Sequence, residues 1–299
     1  MTTTNGEFRV TVLGSGTPVP RIDRFGPATL IEAGNQKLLV DAGRGVTMRL
    51  WQLKIPLSQI ERLFLTHYHS DHTNGIPDLW LTGWLPPRWG QRKTPFCVTG
   101  PIGAKTLMSK LEEAYALDIK IRLEDEKVPI EGIQTEVTEF DRDGVVYEKD
   151  GLKVIAFEVD HGDVIKPAYG FRFEYNGRAA VLSGDTRYHP NVVKYGMDAD
   201  LLIHEVGAAK AELLRDPSLK LILDHHSTPH DAGRVFVQTK PKLAAYTHLV
   251  LLGSEKVEPV TIDEVVAQTR EVYEGPLVVC EDLMSFEIGE VVKVRRFEP

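Results

Sequence analysis

His67-Tyr68-His69-Ser70-Asp71-His72 decides how this chain is read. Ten histidines are spread over 299 residues, yet three fall within these six, with an aspartate among them. The stretch follows Arg62-Leu63-Phe64-Leu65-Thr66, a short apolar strand, and precedes the loop residues Thr73-Asn74-Gly75. In extended backbone His67 and His69 are two apart and project to one side. Asp71 and His72 come where the chain must turn, so they can point at a second position beside the first. Burying such groups without partners costs roughly several kcal/mol, so their place at the mouth of a buried strand points to metal ligation. Imidazole and carboxylate suit borderline divalent ions, zinc foremost, with manganese or iron as alternatives.

Outward from this motif the chain alternates strands and helices. Phe8 to Leu13 predicts a strand that stops at Gly14-Ser15-Gly16-Thr17-Pro18. Ala28 to Glu32 and Gln36 to Val40 flank Ala33-Gly34-Asn35 as a hairpin, and Val46 to Leu53 reads as a helix ended before Pro56. Ile102 to Leu117 has apolar residues at helical spacing, and Arg122 to Lys127 reads as a solvated surface turn. Leu152 to Val159, Tyr169 to Tyr175 and Ala179 to Leu182 predict strands, the last two joined through Asn176-Gly177. Leu201 to Ile203 and Leu243 to Tyr246 are short buried strands, Asp231 to Gln238 and Ile262 to Tyr273 helices, and Leu277 to Val279 and Val291 to Phe297 the last strands. Strands followed by helices in both halves predict an α/β chain with sheets inside and helices outside. With no repeat and no linker, residues 1–299 read as a single domain of two fused βα halves.

Composition excludes several classes. No run approaches ~18 apolar residues, so no membrane span is expected, and Met1 to Gly6 lacks the features of a signal peptide. A cytoplasmic location is the resulting expectation. Cys97 and Cys280 alone cannot build a disulfide framework or a cysteine-rich zinc site. Lys+Arg 35 against Asp+Glu 43 gives a net charge of −8, which disfavours a broad grip on nucleic acid.

Three later strand ends each offer one more donor: His161 in Val159-Asp160-His161-Gly162, Asp185 in Leu182-Ser183-Gly184-Asp185-Thr186, and His248 in Tyr246-Thr247-His248-Leu249. Together with the first motif they resemble the metallo-β-lactamase fold superfamily of metal-dependent hydrolases. The resemblance implies an αββα sandwich, two mixed sheets inside with helices on both outer faces. It implies two divalent ions: His67, His69 and His161 on one, Asp71, His72 and His248 on the other, with Asp185 bridging. Two cations about 3.5–4 Å apart ionise a bridging water near neutral pH. Asp71 is then also a candidate to orient the nucleophile. Asp41, in Leu39-Val40-Asp41-Ala42-Gly43, would sit behind a ligand histidine and fix its tautomer. Redox relatives carry glutamate where this chain has His69, which favours hydrolysis.

Four further stretches are similar to the branch that holds ribonuclease Z and certain arylsulfatases. They are Gly14-Ser15-Gly16-Thr17-Pro18, Asp41-Ala42-Gly43-Arg44-Gly45, Leu202-Ile203-His204-Glu205-Val206 and His226-Ser227-Thr228. By that resemblance His226 is a candidate general acid and Glu205 its orienting carboxylate, with neighbouring His225 open as the donor instead. Members that process tRNA carry a long arm between the ligands matched by His161 and Asp185. Only residues 162–184 lie there in this chain, and Ala42 and Val206-Gly207 also depart from the pattern. The expected function is therefore hydrolysis of small phosphodiesters, phosphotriesters or aryl sulfates. A ribonuclease Z-like tRNA 3′-processing endonuclease is the alternative, and a lactone or thioester hydrolase a further one. The tryptophan-rich stretch Leu79 to Gly90 suggests a substrate pocket of Trp84 and Trp89, with Arg88, Arg92 or Lys93 meeting an anion. Its aromatics also suit the homodimer common among relatives.

Overall fold

Strands of this chain repeatedly set two apolar residues side by side: Leu30-Ile31, Leu38-Leu39, Leu63-Phe64 and Leu202-Ile203 are all buried. Neighbours along a strand point to opposite faces, so such strands need cover on both sides. The computed structural model, which describes residues 7–86 and 88–298, supplies that cover in four layers.

Among the described residues one sheet has eight strands and the other seven. The chain first lays down β1 (Phe8–Gly14), β2 (Ala28–Ala33), β3 (Gln36–Val40), β4 (Arg62–Phe64), β5 (Phe96–Pro101) and β6 (Thr135–Phe140). It then builds the second sheet from β7 (Gly144–Lys149), β8 (Leu152–Glu158), β9 (Tyr169–Tyr175), β10 (Arg178–Leu182), β11 (Leu201–Ala208), β12 (Leu243–Leu251) and β13 (Leu277–Val279). Strands β14 (Met284–Ile288) and β15 (Val292–Arg295) return to the first. The orders are β15-β14-β1-β2-β3-β4-β5-β6 and β13-β12-β11-β10-β9-β8-β7. Both sheets are mixed. β3 to β6 run parallel, as do β10 to β13, and the hairpin strands beside them are antiparallel.

The inner faces meet through Val10, Ile31 and Phe64 on one side and Phe171, Phe173 and Ile203 on the other. Phe64 sets its edge to the face of Phe171, with ring centres 5.6 Å apart. Helices α1 (Val46–Gln52), α2 (Ser70–Thr73), α3 (Ile76–Trp84), α4 (Ala104–Ala114) and α5 (Ala116–Ile121) belong to the first half. Residues Trp80, Trp84 and Met108 from this set cover Leu30, Leu39 and Leu63. Helices α6 (Pro190–Gly196), α7 (Pro217–Leu223), α8 (Pro229–Thr239) and α9 (Ile262–Arg270) belong to the second. There Val192, Phe236 and Val265 cover Val181 and Leu202. The αββα sandwich expected from the sequence is the architecture of the protein.

Local details differ from expectation. The helix predicted over 102–117 is two helices, α4 and α5, and the turn at 122–126 is a single wide helical turn. Strands β6 and β7 were not foreseen, because each is half-exposed at the edge of its sheet and mixes glutamate with apolar residues. β12 does not end at His248 but runs on to Leu251. Among the described residues no helix is long and apolar enough to cross a membrane.

Candidate metal centre

Five chain segments meet at one rim of the sandwich. Asp41 follows β3, His67 follows β4, and His69, Asp71 and His72 form the start of α2. His161 follows β8 and Asp185 follows β10. His248 lies within β12, where pairing with β11 skips a residue between Thr247 and Leu249, and its φ is +45°. This bulge turns the histidine out of the ladder toward the other ligands. Gly184 has φ +62°, and a Cβ there would lie 2.4 Å from the Tyr169 carbonyl oxygen, so the turn before Asp185 requires glycine.

The donors form two groups that share a carboxylate. His67, His69, His161 and Asp185 make one, and Asp71, His72 and His248 the other, while His226 stands close enough to Asp185 and His248 to form a third cluster with them. Asp185 Oδ2 stands between them, 3.9 Å from His67 Nε2, 3.8 Å from His161 Nε2, and 3.2 Å from both His72 Nε2 and His248 Nε2. Asp71 Oδ2 lies 3.3 Å from His248 Nε2 and 3.6 Å from His72 Nε2.

Hydrogen bonds behind the rings set their tautomers. His72 Nδ1–H donates to Asp41 Oδ2 at 2.7 Å. Asp41 also accepts from Thr66 N at 2.9 Å and Thr66 Oγ1 at 2.8 Å. With its proton so used, Thr66 Oγ1 accepts from His67 Nδ1 at 2.9 Å. His161 Nδ1 donates to the His225 carbonyl oxygen at 3.0 Å. Each of these three rings thus aims Nε2 at the centre. His67 and His161 do so as neutral rings, whereas burial opposes charge on His72 but Asp185 and Asp41 outweigh it and raise its basicity well above the ordinary value.

The donor set fits two cations. Nε2 of His67 and of His72 are buried without a hydrogen bond, and His69 Nδ1 faces His161 Nε2 at 3.2 Å, where two imidazole nitrogens suit a shared ion. Burial pushes the imidazolium of His67 well down and that of His161 to about 4, so both rings are neutral, as a ligand must be. Asp185 is held well below the carboxylate range: burial opposes its charge, but His248 and His72 outweigh burial. Asp41, Asp71 and Asp185 are each buried, a concentration of negative charge that demands positive charge between them.

The family model described as Anti-Pycsar protein Apyc1 matches residues 8–213. Ribonuclease Z of Mycobacterium marinum is 33% identical over 245 residues, covering 81% of this chain and 86% of that protein. The chain belongs to the metallo-β-lactamase fold hydrolases of the ribonuclease Z and Apyc1 type. Ribonuclease Z of Mycolicibacterium gilvum is 34% identical over 247 residues, 81% of this chain and 84% of its own length. Among solved structures, the metallo-β-lactamase fold protein YhfI of Bacillus subtilis superposes with a TM-score of 0.72 at 19% identity, covering 94% of this chain and 99% of that one. The short form of human tRNase Z superposes with a TM-score of 0.68 at 23% identity, over 93% and 98%.

This ribonuclease Z-type chain keeps an ionic pair beside the ligands. His226 Nδ1 lies 3.2 Å from Glu205 Oε2, and the two are nearly buried. Burial alone lowers the basicity of His226, but Glu205 overrides it and the imidazolium is raised to about 9. Glu205 Oε1 accepts from Ser227 N at 2.9 Å and Thr186 N at 3.2 Å, so one carboxylate ties the His226 loop to the Asp185 loop. His225 also reaches the cavity, but burial, with His226 and Arg187, lowers its basicity against the pull of Asp224 and Asp163. His204 turns away and packs edge-on against Phe236, 6.0 Å between ring centres.

A cavity of about 980 Å³ opens over His69, Asp71, His161, Asp185, His226 and His248. The tryptophan-rich stretch does not line it, which corrects the expected pocket. Trp84 is buried in the core beneath the first sheet, its Nε1 donating to the Pro129 carbonyl oxygen at 2.7 Å. Trp89 leans on Trp51 at 6.1 Å, and Arg88 lies exposed beside the Trp89 ring. α3 is amphipathic, so its apolar face takes both of its tryptophans into the core. Thr66 and Ser227 escaped the sequence reading, although each adjoins a quoted motif residue. No periodic signal marks the loop residues that wall the cavity.

Proposed function

We propose that this chain is a dinuclear, zinc-preferring phosphodiesterase. His67, His69 and His161 would hold one ion, Asp71, His72 and His248 the other, and Asp185 both. When bound, the two cations would supply an ionised water and offset charge on the phosphoryl oxygens. His226 gives its proton to the leaving oxygen as the P–O bond breaks. The products are a phosphomonoester and an alcohol, with one water consumed. Glu205 keeps His226 charged and oriented, and Asp71 helps aim the attacking water. The observation that carries this reading is His226, paired with Glu205, lining the same cavity as five of the seven donors, His69, Asp71, His161, Asp185 and His248. A charged imidazole at that place serves a leaving group that needs a proton.

The names of the relatives, ribonuclease Z and tRNase Z, favour an RNA substrate over an aryl sulfate. A second reading, a small phosphodiester, is favoured by the hairpin β9–β10, which fills the interval between His161 and Asp185 where an RNA-gripping arm would go. Incubation of the metal-loaded protein with precursor tRNA, bis(p-nitrophenyl) phosphate and p-nitrophenyl sulfate, with metal content measured on the same sample, tests the proposal. Turnover of a phosphodiester is expected. Sulfate turnover without any phosphodiester turnover would refute it. We further propose a homodimer formed through exposed Met48 and Trp51 beside Trp89, which sedimentation would test.

A further inference from the structure

The cavity over the metal donors is lined by two chemically different sets of residues. One carries the carboxylates and imidazoles already described. The other is built from Val19, Ile165, Ile222, Leu252, Pro259 and Ile262, contributed by separate segments of the chain. Val19, Ile222 and Ile262 are exposed, at 63%, 40% and 37%. A run of apolar side chains left open beside an ionic centre has no folding purpose, and such walls are what ligand cavities use to hold uncharged groups.

The arginines of the lining do not offset this. Arg24 Nη1 is drawn inward, donating to Ser15 Oγ and to the Cys280 carbonyl oxygen, both at 2.7 Å. Arg21 is paired with Asp23 at 2.6 Å, and Glu258 adds a negative charge to the same lining. A polynucleotide entering here would bring further phosphates with no free arginine in the lining to receive them.

The segment of this lining that carries Val19 is also held in place. Asp282 accepts from Ser15 N at 2.9 Å and from Phe25 N at 2.7 Å, clamping both ends of the segment that carries Val19. Arg49 Nη2 donates to the same carboxylate at 2.8 Å, and Gly16 N donates to the Phe25 carbonyl oxygen at 2.8 Å, closing the base of the loop.

We infer that this wall is a specificity subsite for a flat or branched uncharged substituent, so that the substrate is a phosphodiester with a single phosphate and an aromatic or apolar ester group. The inference rests on the phosphodiester reading and narrows it. Binding places the phosphate among the metal donors and the uncharged substituent against Ile222 and Val19.

Two esters with the same leaving group test it: bis(p-nitrophenyl) phosphate and methyl p-nitrophenyl phosphate. The expected result is a kcat/KM at least tenfold higher for the aryl ester, expressed mainly in KM. Val19→Asp and Ile222→Asp, both at exposed positions and so compatible with folding, are expected to bring the two values within threefold of each other. Calorimetry with phenylphosphonate and methylphosphonate on the same samples gives a readout apart from turnover. Phenylphosphonate should bind at least fivefold more tightly to the parent protein and lose that advantage in both variants. Equal KM values for the two esters, or equal affinities for the two phosphonates, would overturn the subsite. Efficient precursor tRNA cleavage with no aryl preference would do the same. Failure to turn over either ester would instead count against the phosphodiester reading, and calorimetry would still decide the wall.

Discussion

His72 and Asp41 are joined by a 2.7 Å hydrogen bond between Nδ1 and Oδ2, and this bond decides which nitrogen of His72 faces the metal donors. Asp41 holds this position from a left-handed backbone conformation, φ +58°, directly after β3. Replacing it with asparagine removes the charge while keeping the shape. The expected outcome is a 10–100-fold weaker affinity for one of two metal ions, read by titrating metal into chelator-treated protein. Two unaltered binding steps would refute this role.

Asp185 should behave differently. Its Oδ2 stands within 4 Å of histidines from both donor groups. Asp185→Ala is expected to lower occupancy of both positions together, whereas His69→Ala should affect one. Metal content per chain, measured after dialysis against a fixed free-metal concentration, distinguishes the two patterns.

His226→Ala should leave metal content near that of the parent protein. Its effect on rate depends on the leaving group. Alkyl esters, whose leaving oxygen needs a proton, should slow by roughly 10²–10⁴-fold, and p-nitrophenyl esters much less. Glu205→Gln should follow the same trend. A uniform loss across leaving groups would show that His226 only shapes the cavity.

A stability prediction comes from the start of α8. Thr228 Oγ1 accepts from Asp231 N at 3.1 Å, and the Asp231 carboxylate accepts from Thr228 Oγ1 at 2.6 Å, a reciprocal cap. Burial raises the Asp231 carboxyl, but the hydrogen bonds from Thr228 and Arg234 outweigh it and leave it below its ordinary value. A depressed carboxyl stabilises the folded state fully above its unfolded pKa of about 3.9 and loses that stabilisation as pH falls through the folded value. Asp231→Ala should therefore cost about 1 kcal/mol at neutral pH. Urea unfolding at pH 7 and again near pH 2.5 should show the difference from the parent shrinking on acidification.

Local chemistry made much of the centre readable. Four of the seven donors sit in one six-residue stretch after an apolar strand, and no packing role accounts for them. The other three, His161, Asp185 and His248, each adjoin or sit within an apolar strand, and their order along the chain matched a known pattern. The bulge at His248 was not readable, because a skipped ladder residue leaves no trace in hydrophobic alternation. Strands β6, β7 and β14 escaped because edge position or mixed polarity hides their period, and β5 because its short run is cut by Gly100-Pro101. Trp84 was misplaced because an aromatic residue looks the same in sequence whether its helix face meets the core or a ligand.

By itself the sequence determined the layered α/β plan and the donor-rich stretch His67 to His72, since these follow from side-chain chemistry and short-range periodicity, while the later donors and the Glu205–His226 pair were expected only through the resemblance to a known family. Only the tertiary structure decided that Asp185 stands between both donor groups, that Glu205 bonds across to Thr186 and Ser227, and that Ile222, Leu252 and Val19 line one cavity. The physical reason is that such relations join segments scores of residues apart, and the packing of two sheets, not any local preference, sets the distances between them.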